Sequence, residues 1–251
     1  MMVWLWGIGQ STGLKAEWPT VVALFCAVWA VYLGDRLVDV ARCQDWSHAT
    51  ERLAFGKRFR ALFVSCLVLC VITGATLCFT ALPNDVIRRG LMVAVGMGIY
   101  VSLFVYPWIF GRKAWGKELL VGVGFSCGVF AALGPGDALQ LQLLASVALA
   151  VAFNCLIIGA RDADADRAND PGGVSHWWKS IDRDLKLVGL GLTTAYIFGS
   201  VFFANTKMWP ALIICGALLT ILHFNARRFS ADSIRALADY CLMTPLLFVW
   251  W

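Results

Sequence analysis

Eight apolar stretches, at about 18–39, 60–82, 88–110, 118–134, 138–160, 185–205, 208–226 and 234–251, are long enough to cross or nearly cross a lipid bilayer. Few soluble folds can bury that much apolar chain. With 60% hydrophobic residues, only 15% charged residues and a mean hydropathy of +0.72, the chain reads as an integral membrane protein. The expected architecture is an all-α bundle of eight membrane helices forming one membrane domain over residues 1–251. The fourth stretch is the shortest and carries Gly122, Gly124, Gly128 and Gly134, which fits a tilted or closely packed span. Met1 to Gly13 is apolar but too short to cross, and lacks the basic start and cleavage site of a secretory signal. It reads as an interfacial stub or the remainder of a further span. No repeat, low-complexity tract or polar segment marks a second domain.

Charge placement orients this bundle. With the eight spans as drawn, 17 of the 21 Lys and Arg residues fall on one side, and only Lys15, Arg88, Arg89 and Lys207 on the other. The positive-inside rule predicts that the crowded side is cytoplasmic. An even span count then puts both termini on the opposite side, an arrangement that a lost or shortened ninth span at the start explains. The net charge of +5 is accounted for by topology, and no nucleic-acid-binding motif accompanies it. The nine cysteines form no CxxC pair, and His48, His176 and His223 show no ligand spacing, so a structural transition-metal site is not expected. Tryptophans near span ends, such as Trp18, Trp108 and Trp209, read as interfacial anchors.

Two aspartate clusters lie at the ends of apolar stretches, both on the predicted cytoplasmic side. The first is Asp35 and Asp39; the second is Asp162, Asp164, Asp166 and Asp170. Carboxylates four residues apart share a helical face and can aim two oxygens at one point. The sixteen residues from Thr20 to Asp35 contain no other charge, and a carboxylate ending so apolar a helix must face water, a partner or a cation. Arg36 can neutralise one carboxylate of the first pair. In the second cluster Asn154, Ile158, Asp162, Asp166 and Asp170 recur every four residues along one stripe, with Asp164 pointing elsewhere. An ordinary Asp-rich loop accounts equally well for Asp164 and Asp170. An EF-hand is excluded, because Arg167 stands at its obligatory glycine and Gly173 at its bidentate glutamate. Mg²⁺ uses one or two carboxylates together with phosphate oxygens and water, so two facing pairs suit two ions bridging one diphosphate. Arg36, Lys113, Lys117 and Arg161 are the cations nearest in sequence to contact the remaining phosphate oxygens.

These residues resemble the UbiA superfamily of intramembrane prenyltransferases. Arg161-Asp162-x-x-x-Asp166-Arg167 is similar to the family's second aspartate motif, and Asp35-x-x-x-Asp39 to the end of its first. Between them, Tyr106-Pro107, Gly111-Arg112-Lys113 and Lys117-Glu118-Leu119-Leu120 resemble its Tyr/Lys region. Two departures stand out. Val31 and Tyr32 occupy the places of the Asn-Asp that usually opens the first motif, and Phe110 breaks the usual Tyr-x-x-x-Lys spacing.

The resemblance implies a UbiA-like helical bundle that uses Mg²⁺ to ionise a prenyl diphosphate and alkylates an aromatic or other lipophilic acceptor. It implies Asp35 and Asp39 as ligands of one ion, and Asp162 and Asp166 as ligands of the other. Arg36, Tyr106, Lys113, Lys117, Asn154 and Arg161 are the implied substrate contacts. The expected setting is a bacterial inner membrane with the aspartates facing the cytoplasm, with the lipid bilayer and both substrates as partners and no nucleic acid. Acceptor, prenyl length and oligomeric state are not readable. Two other functions compete. A CDP-alcohol phosphotransferase ranks low, since Asp39-Val40-Ala41-Arg42 lacks that family's glycine and spacing. A transporter or non-catalytic ion-binding protein would place its acid deeper, and Asp239 is the one candidate.

Overall fold

A backbone crossing hydrocarbon must satisfy its own polar groups, which leaves the apolar stretches of this chain to form helices. The computed structural model describes residues 1–43, 46, 51–105, 116–162, 174, 178–203, 206 and 208–248, and no strand occurs among them. The helices are α1 (Met2–Thr12), α2 (Trp18–Arg42), α3 (Glu51–Arg58), α4 (Arg60–Thr80), α5 (Asn84–Val105), α6 (Lys117–Leu133), α7 (Ala138–Arg161), α8 (Ile181–Phe202), α9 (Met208–Phe224) and α10 (Ala231–Cys241). Short 3₁₀ turns follow at Ala226–Arg228 and Thr244–Phe248. Within these limits the all-helical expectation holds. Four helices, at Trp18–Ala41, Arg60–Thr80, Ala138–Arg161 and Ile181–Phe202, are long and apolar enough to cross a membrane. Glu118–Leu133 and Met208–Phe224 are apolar but shorter.

Local chemistry sets the helix ends. Pro19 sits in the first turn of α2, where its missing N–H costs nothing. Asp137 caps α7 by accepting the Gln140 N–H at 3.0 Å, and Ser230 caps α10 by accepting the Ser233 N–H at 3.2 Å. Gly134 ends α6 with a φ of 84°, a conformation L side chains rarely adopt.

The core centres on α7. Leu143, Val147, Ala150, Phe153 and Ile157 are buried there, while α4 on the outside has no buried residue at all. The exposed side chains of α4 include Leu69, Ile72 and Phe79, an apolar outer surface suited to lipid. Polar side chains within the bundle reach α7's own carbonyls. Ser126 donates to Leu144 O at 2.8 Å, and Tyr196 donates to Ser146 O at 2.7 Å. A Cβ on Gly122 would collide with the carbonyl oxygen of Ala148, so α6 and α7 approach closely at that point.

One expectation needs correction. The stretch 234–251 does not run as one helix: α10 stops at Cys241, and Thr244–Phe248 is a 3₁₀ turn. Pro245 supplies the reason, since it lacks an N–H and disfavours helical geometry in the residue before it. The N-terminal segment, read as an interfacial stub or the remainder of a further span, packs into the bundle. Trp4 and Ile8 of α1 are fully buried, and the Trp4 indole donates to Leu242 O at 2.8 Å, satisfying a carbonyl left open where α10 ends. Gly9 of α1 lies against Leu133 and Leu14 at the end of the bundle where α6 finishes, whereas α10 begins at the end where α7 finishes. Each of these helices has 11 residues, about 16 Å of rise, so neither alone matches the ~30 Å of hydrocarbon and the two together do.

The close approach at Gly122 is testable. Gly122→Ala is expected to destabilise the chain by about 1–3 kcal/mol, read as a lower thermal midpoint in detergent. Gly96→Ala, where an added Cβ meets nothing within 4 Å, is the control expected to leave the midpoint in place.

Candidate functional site

The helix ends carrying the aspartates gather at one end of the bundle. At the last turns of α2, Arg36 lies between the two carboxylates of its own helix. Its Nη2 donates to Asp35 Oδ2 at 2.6 Å, and its Nη1 lies 2.9 Å from Asp39 Oδ2, off the axis of a hydrogen bond. The guanidinium also sits 5.5 Å from the centre of the Tyr32 ring. Arg36 is nearly buried while both carboxylates keep substantial exposure. Below Tyr32 an aromatic ladder runs along an exposed face of α2, with Trp29 at 5.7 Å from Tyr32 and Phe25 at 5.9 Å from Trp29.

Asp162, at the C-cap of α7, is only 7% exposed and is gripped by Arg235 of α10, itself 8% exposed. Arg235 Nε donates to Asp162 Oδ2 at 3.0 Å, its Nη2 makes a short bond to Oδ1, and its Nη1 reaches Asp232. Two parallel bonds from a planar fork make this the best-defined charge pair of the site. Both oxygens of Asp162 are engaged by an arginine and not by a facing carboxylate. Sequence reasoning did not anticipate that partner, because Arg235 stood in a stretch read as a span.

Arg52 on α3 links the two clusters. It interacts electrostatically with Arg36 and Arg235, which repel it, and with Asp162 and Asp39, which attract it. Burial, reinforced by Arg36 and Arg235, holds its guanidinium below the ordinary value, and a group that basic still stays charged. Its Nε is buried without a hydrogen-bond partner, as is the Nε of Arg161 and that of Arg36. Buried, unpaired guanidinium N–H groups beside carboxylates form a setting for an anion brought in with its own cation.

A second polar level lies deeper. Asn154, eight residues before Asp162 on α7, sits about 12 Å further into the bundle by helix rise. It is 4% exposed, and its Nδ2 donates to Asp239 Oδ1 of α10 at 3.2 Å. Its Oδ1 is buried with no partner.

Asp35, Arg36, Asp39, Asn154, Arg161 and Asp162 of the expected site thus fall at this end of the bundle or on the α7 stripe leading from it. Asp166, Tyr106 and Lys113 lie outside the described residues, as does the Lys117 side chain. Arg52, Arg235 and the pairing of Asp239 with Asn154 are additions that the sequence did not reveal; Arg52 carried no signal beyond being one of many basic residues on its side. Among the described residues no three His, Cys, Asp or Glu side chains form a group able to hold a metal ion. The carboxylates of Asp35 and Asp39 nonetheless fit the one or two hard ligands that Mg²⁺ takes beside phosphate oxygens and water, whereas Asp162 as paired does not. A groove lined by Asn84, Arg88, Met92 and neighbouring α5 residues lies towards the opposite end and takes no part. No family model, curated protein or solved structure matches the chain.

The fork between Asp162 and Arg235 yields a stability prediction. Arg235→Met alone strands a buried carboxylate and is expected to cost about 3–5 kcal/mol in chemical unfolding. Asp162→Leu combined with Arg235→Met is expected to recover most of that loss, giving a strong coupling in the double-mutant cycle.

Proposed function

We propose that the chain is a UbiA-type intramembrane prenyltransferase, moving a prenyl group from a prenyl diphosphate to an aromatic or other lipophilic acceptor. The observation that carries this reading is Arg52: a half-buried cation, its Nε buried without a partner, in the field of both Asp39 and Asp162. Under this reading the bundle crosses the membrane through eight spans, with α1 and the α10 segment as half-length elements. The aspartate end then faces the cytoplasm of a bacterial inner membrane, where a soluble diphosphate reaches it.

The chemistry follows from the residues. The diphosphate lies over Asp35, Arg36 and Asp39, with the N–H groups of Arg36, Arg52 and Arg161 directed at its oxygens. Asp35 and Asp39 would hold Mg²⁺, which would supply charge neutralisation and make the diphosphate a better leaving group. The bond between prenyl C1 and oxygen breaks, both electrons leave on the diphosphate, and a new bond joins C1 to the acceptor, which gives up a proton. The arginines stabilise the charge that builds on the leaving oxygens. Tyr32, which packs under the Arg36 guanidinium beside the diphosphate, offers an electron-rich face to the cationic prenyl group.

One observation favours a second reading, ion or proton transport. Asp239 pairs with the buried Asn154 of α7 from a helix that stops after 11 residues, and interrupted helices carrying an acid are features of transporter sites.

Lipid extracts of cells with and without the chain distinguish the two. A prenylated product present only with the chain is expected, and its absence alongside ion flux in proteoliposomes would support transport. In the purified chain, Asp39→Ala and Arg52→Gln are each expected to weaken Mg²⁺-dependent farnesyl diphosphate binding by about tenfold or more. Full affinity in both variants overturns the prenyl-transfer reading.

A further inference from the structure

The helix that carries Arg52 has two unlike faces. Arg52 and Gly56, one turn apart, lie on the side of α3 turned to the bundle, and a Cβ on Gly56 would crowd Val40 of α2 at 2.9 Å. Gly56 is the one buried residue of α3, so packing alone anchors this helix lightly. Phe55, Lys57 and Arg58 are exposed, as is Arg60 where α4 begins.

The outer face gathers cations without acids. Among the described residues no carboxylate forms an ion pair with Lys57, Arg58 or Arg60. Glu51, the one acid of α3, stands more than a turn before Lys57. Aromatic rings support two of the three cations: the Lys57 Nζ lies 4.0 Å from the centre of the Trp46 ring, and the Arg58 guanidinium 5.5 Å from that of Phe59. A cation resting on a ring is held in place yet keeps its N–H groups for another partner. The exposed Phe55 adds an aromatic side chain of the kind that sits where headgroups meet acyl chains.

The surface continues along α4. Arg60, Val64, Val68 and Val71 share one helical face, and all four are exposed. They cover about 16 Å of helix rise, close to one leaflet's half of the ~30 Å hydrocarbon layer. Cations at the head of an apolar stripe one leaflet long match a single phospholipid, with its phosphate on the cations and an acyl chain along the valines. Charge complementarity selects the headgroup. A choline headgroup brings its own ammonium, which these cations repel, whereas an anionic headgroup brings only the charge they lack.

We propose that Lys57, Arg58 and Arg60, with the valine stripe of α4, form a docking surface for an anionic phospholipid in the leaflet at the aspartate end, and that the bound lipid holds α3 with Arg52 turned inward. The lipid thereby fixes from outside a helix that the bundle grips at one glycine. The surface stands apart from the prenyl-transfer reading, since it applies whatever the aspartate end binds.

The test places the full chain in nanodiscs of phosphatidylcholine and phosphatidylglycerol in equal parts, and counts the lipid retained on release into detergent by native mass spectrometry. Phosphatidylglycerol is expected to be retained in preference to phosphatidylcholine. Lys57→Gln, Arg58→Gln and Arg60→Gln combined are expected to erode that preference by about fivefold for each cation removed. Lys179→Gln, Arg227→Gln and Arg228→Gln combined remove three exposed charges elsewhere on the same predicted side and are expected to leave it intact. Equal retention of the two lipids by the unsubstituted chain overturns the proposal, and that measurement needs no variant to fold. An unchanged preference in the first triple variant overturns it too, as does an equal loss in both, which would mark a diffuse attraction of the whole charged side. Amide hydrogen exchange over residues 51–58 is expected to be slower in the mixed nanodiscs than in phosphatidylcholine alone. Retained phosphatidylglycerol without that slowing overturns the hold on Arg52.

Discussion

The fork between Arg235 and Asp162 is the interaction on which the polar end of this bundle depends. It joins the end of α7 to the start of α10 where both leave the apolar interior. Without it a buried carboxylate and a buried guanidinium would each face a low-dielectric surrounding alone, at a cost of several kcal/mol. With it α10 is held along α7 in a fixed register, so that Asp239, one turn after Arg235, meets Asn154, two turns before Asp162. The deep polar level is thus a geometric consequence of the shallow one.

The same pairing shapes the charge balance. Asp162 is neutralised by Arg235, Asp35 and Asp39 share Arg36, and Arg52 lies in the field of Asp162 and Asp39 as well as of both those arginines. A cation in that position stabilises nearby carboxylates while keeping N–H groups unspent. Were Arg52 paired as tightly as Arg235, the site would be a closed salt bridge and would have little to offer an anion. Its incomplete pairing leaves hydrogen-bonding capacity unspent at this end of the bundle.

Much of the fold was readable because lipid imposes a simple rule, and long apolar runs such as 60–82 and 138–160 became helices with nearly the expected bounds. The misreading has one origin. Hydropathy averages over a window, so Leu242, Met243, Leu246, Leu247 and Phe248 looked continuous with α10, although Pro245 stands among them. Met1 to Gly13 failed the length criterion and read as an interfacial stub or the remainder of a further span; its buried face and the Trp4 indole complete the interior opposite α10. A half-length helix becomes intelligible only once its counterpart is seen, and neither segment names the other in the sequence.

The site was legible in its carboxylates and obscure in its arginines, for a physical reason. Aspartates that end an apolar helix are conspicuous because the sequence around them gives no other cause for charge. Arginines on the same side follow from topology alone, so the sequence cannot separate Arg52 and Arg235 from the other basic residues there. Only packing does so: α3 folds Arg52 inward where neighbouring Arg58 and Arg60 have no such role, and α10 turns Arg235 toward Asp162. Spacing still carried one deep element, since the four-residue stripe from Asp162 back to Asn154 runs along α7 and meets Asp239 across the helix boundary. A polar residue continuing an acidic stripe into an apolar helix is therefore more informative than the charge density at its mouth.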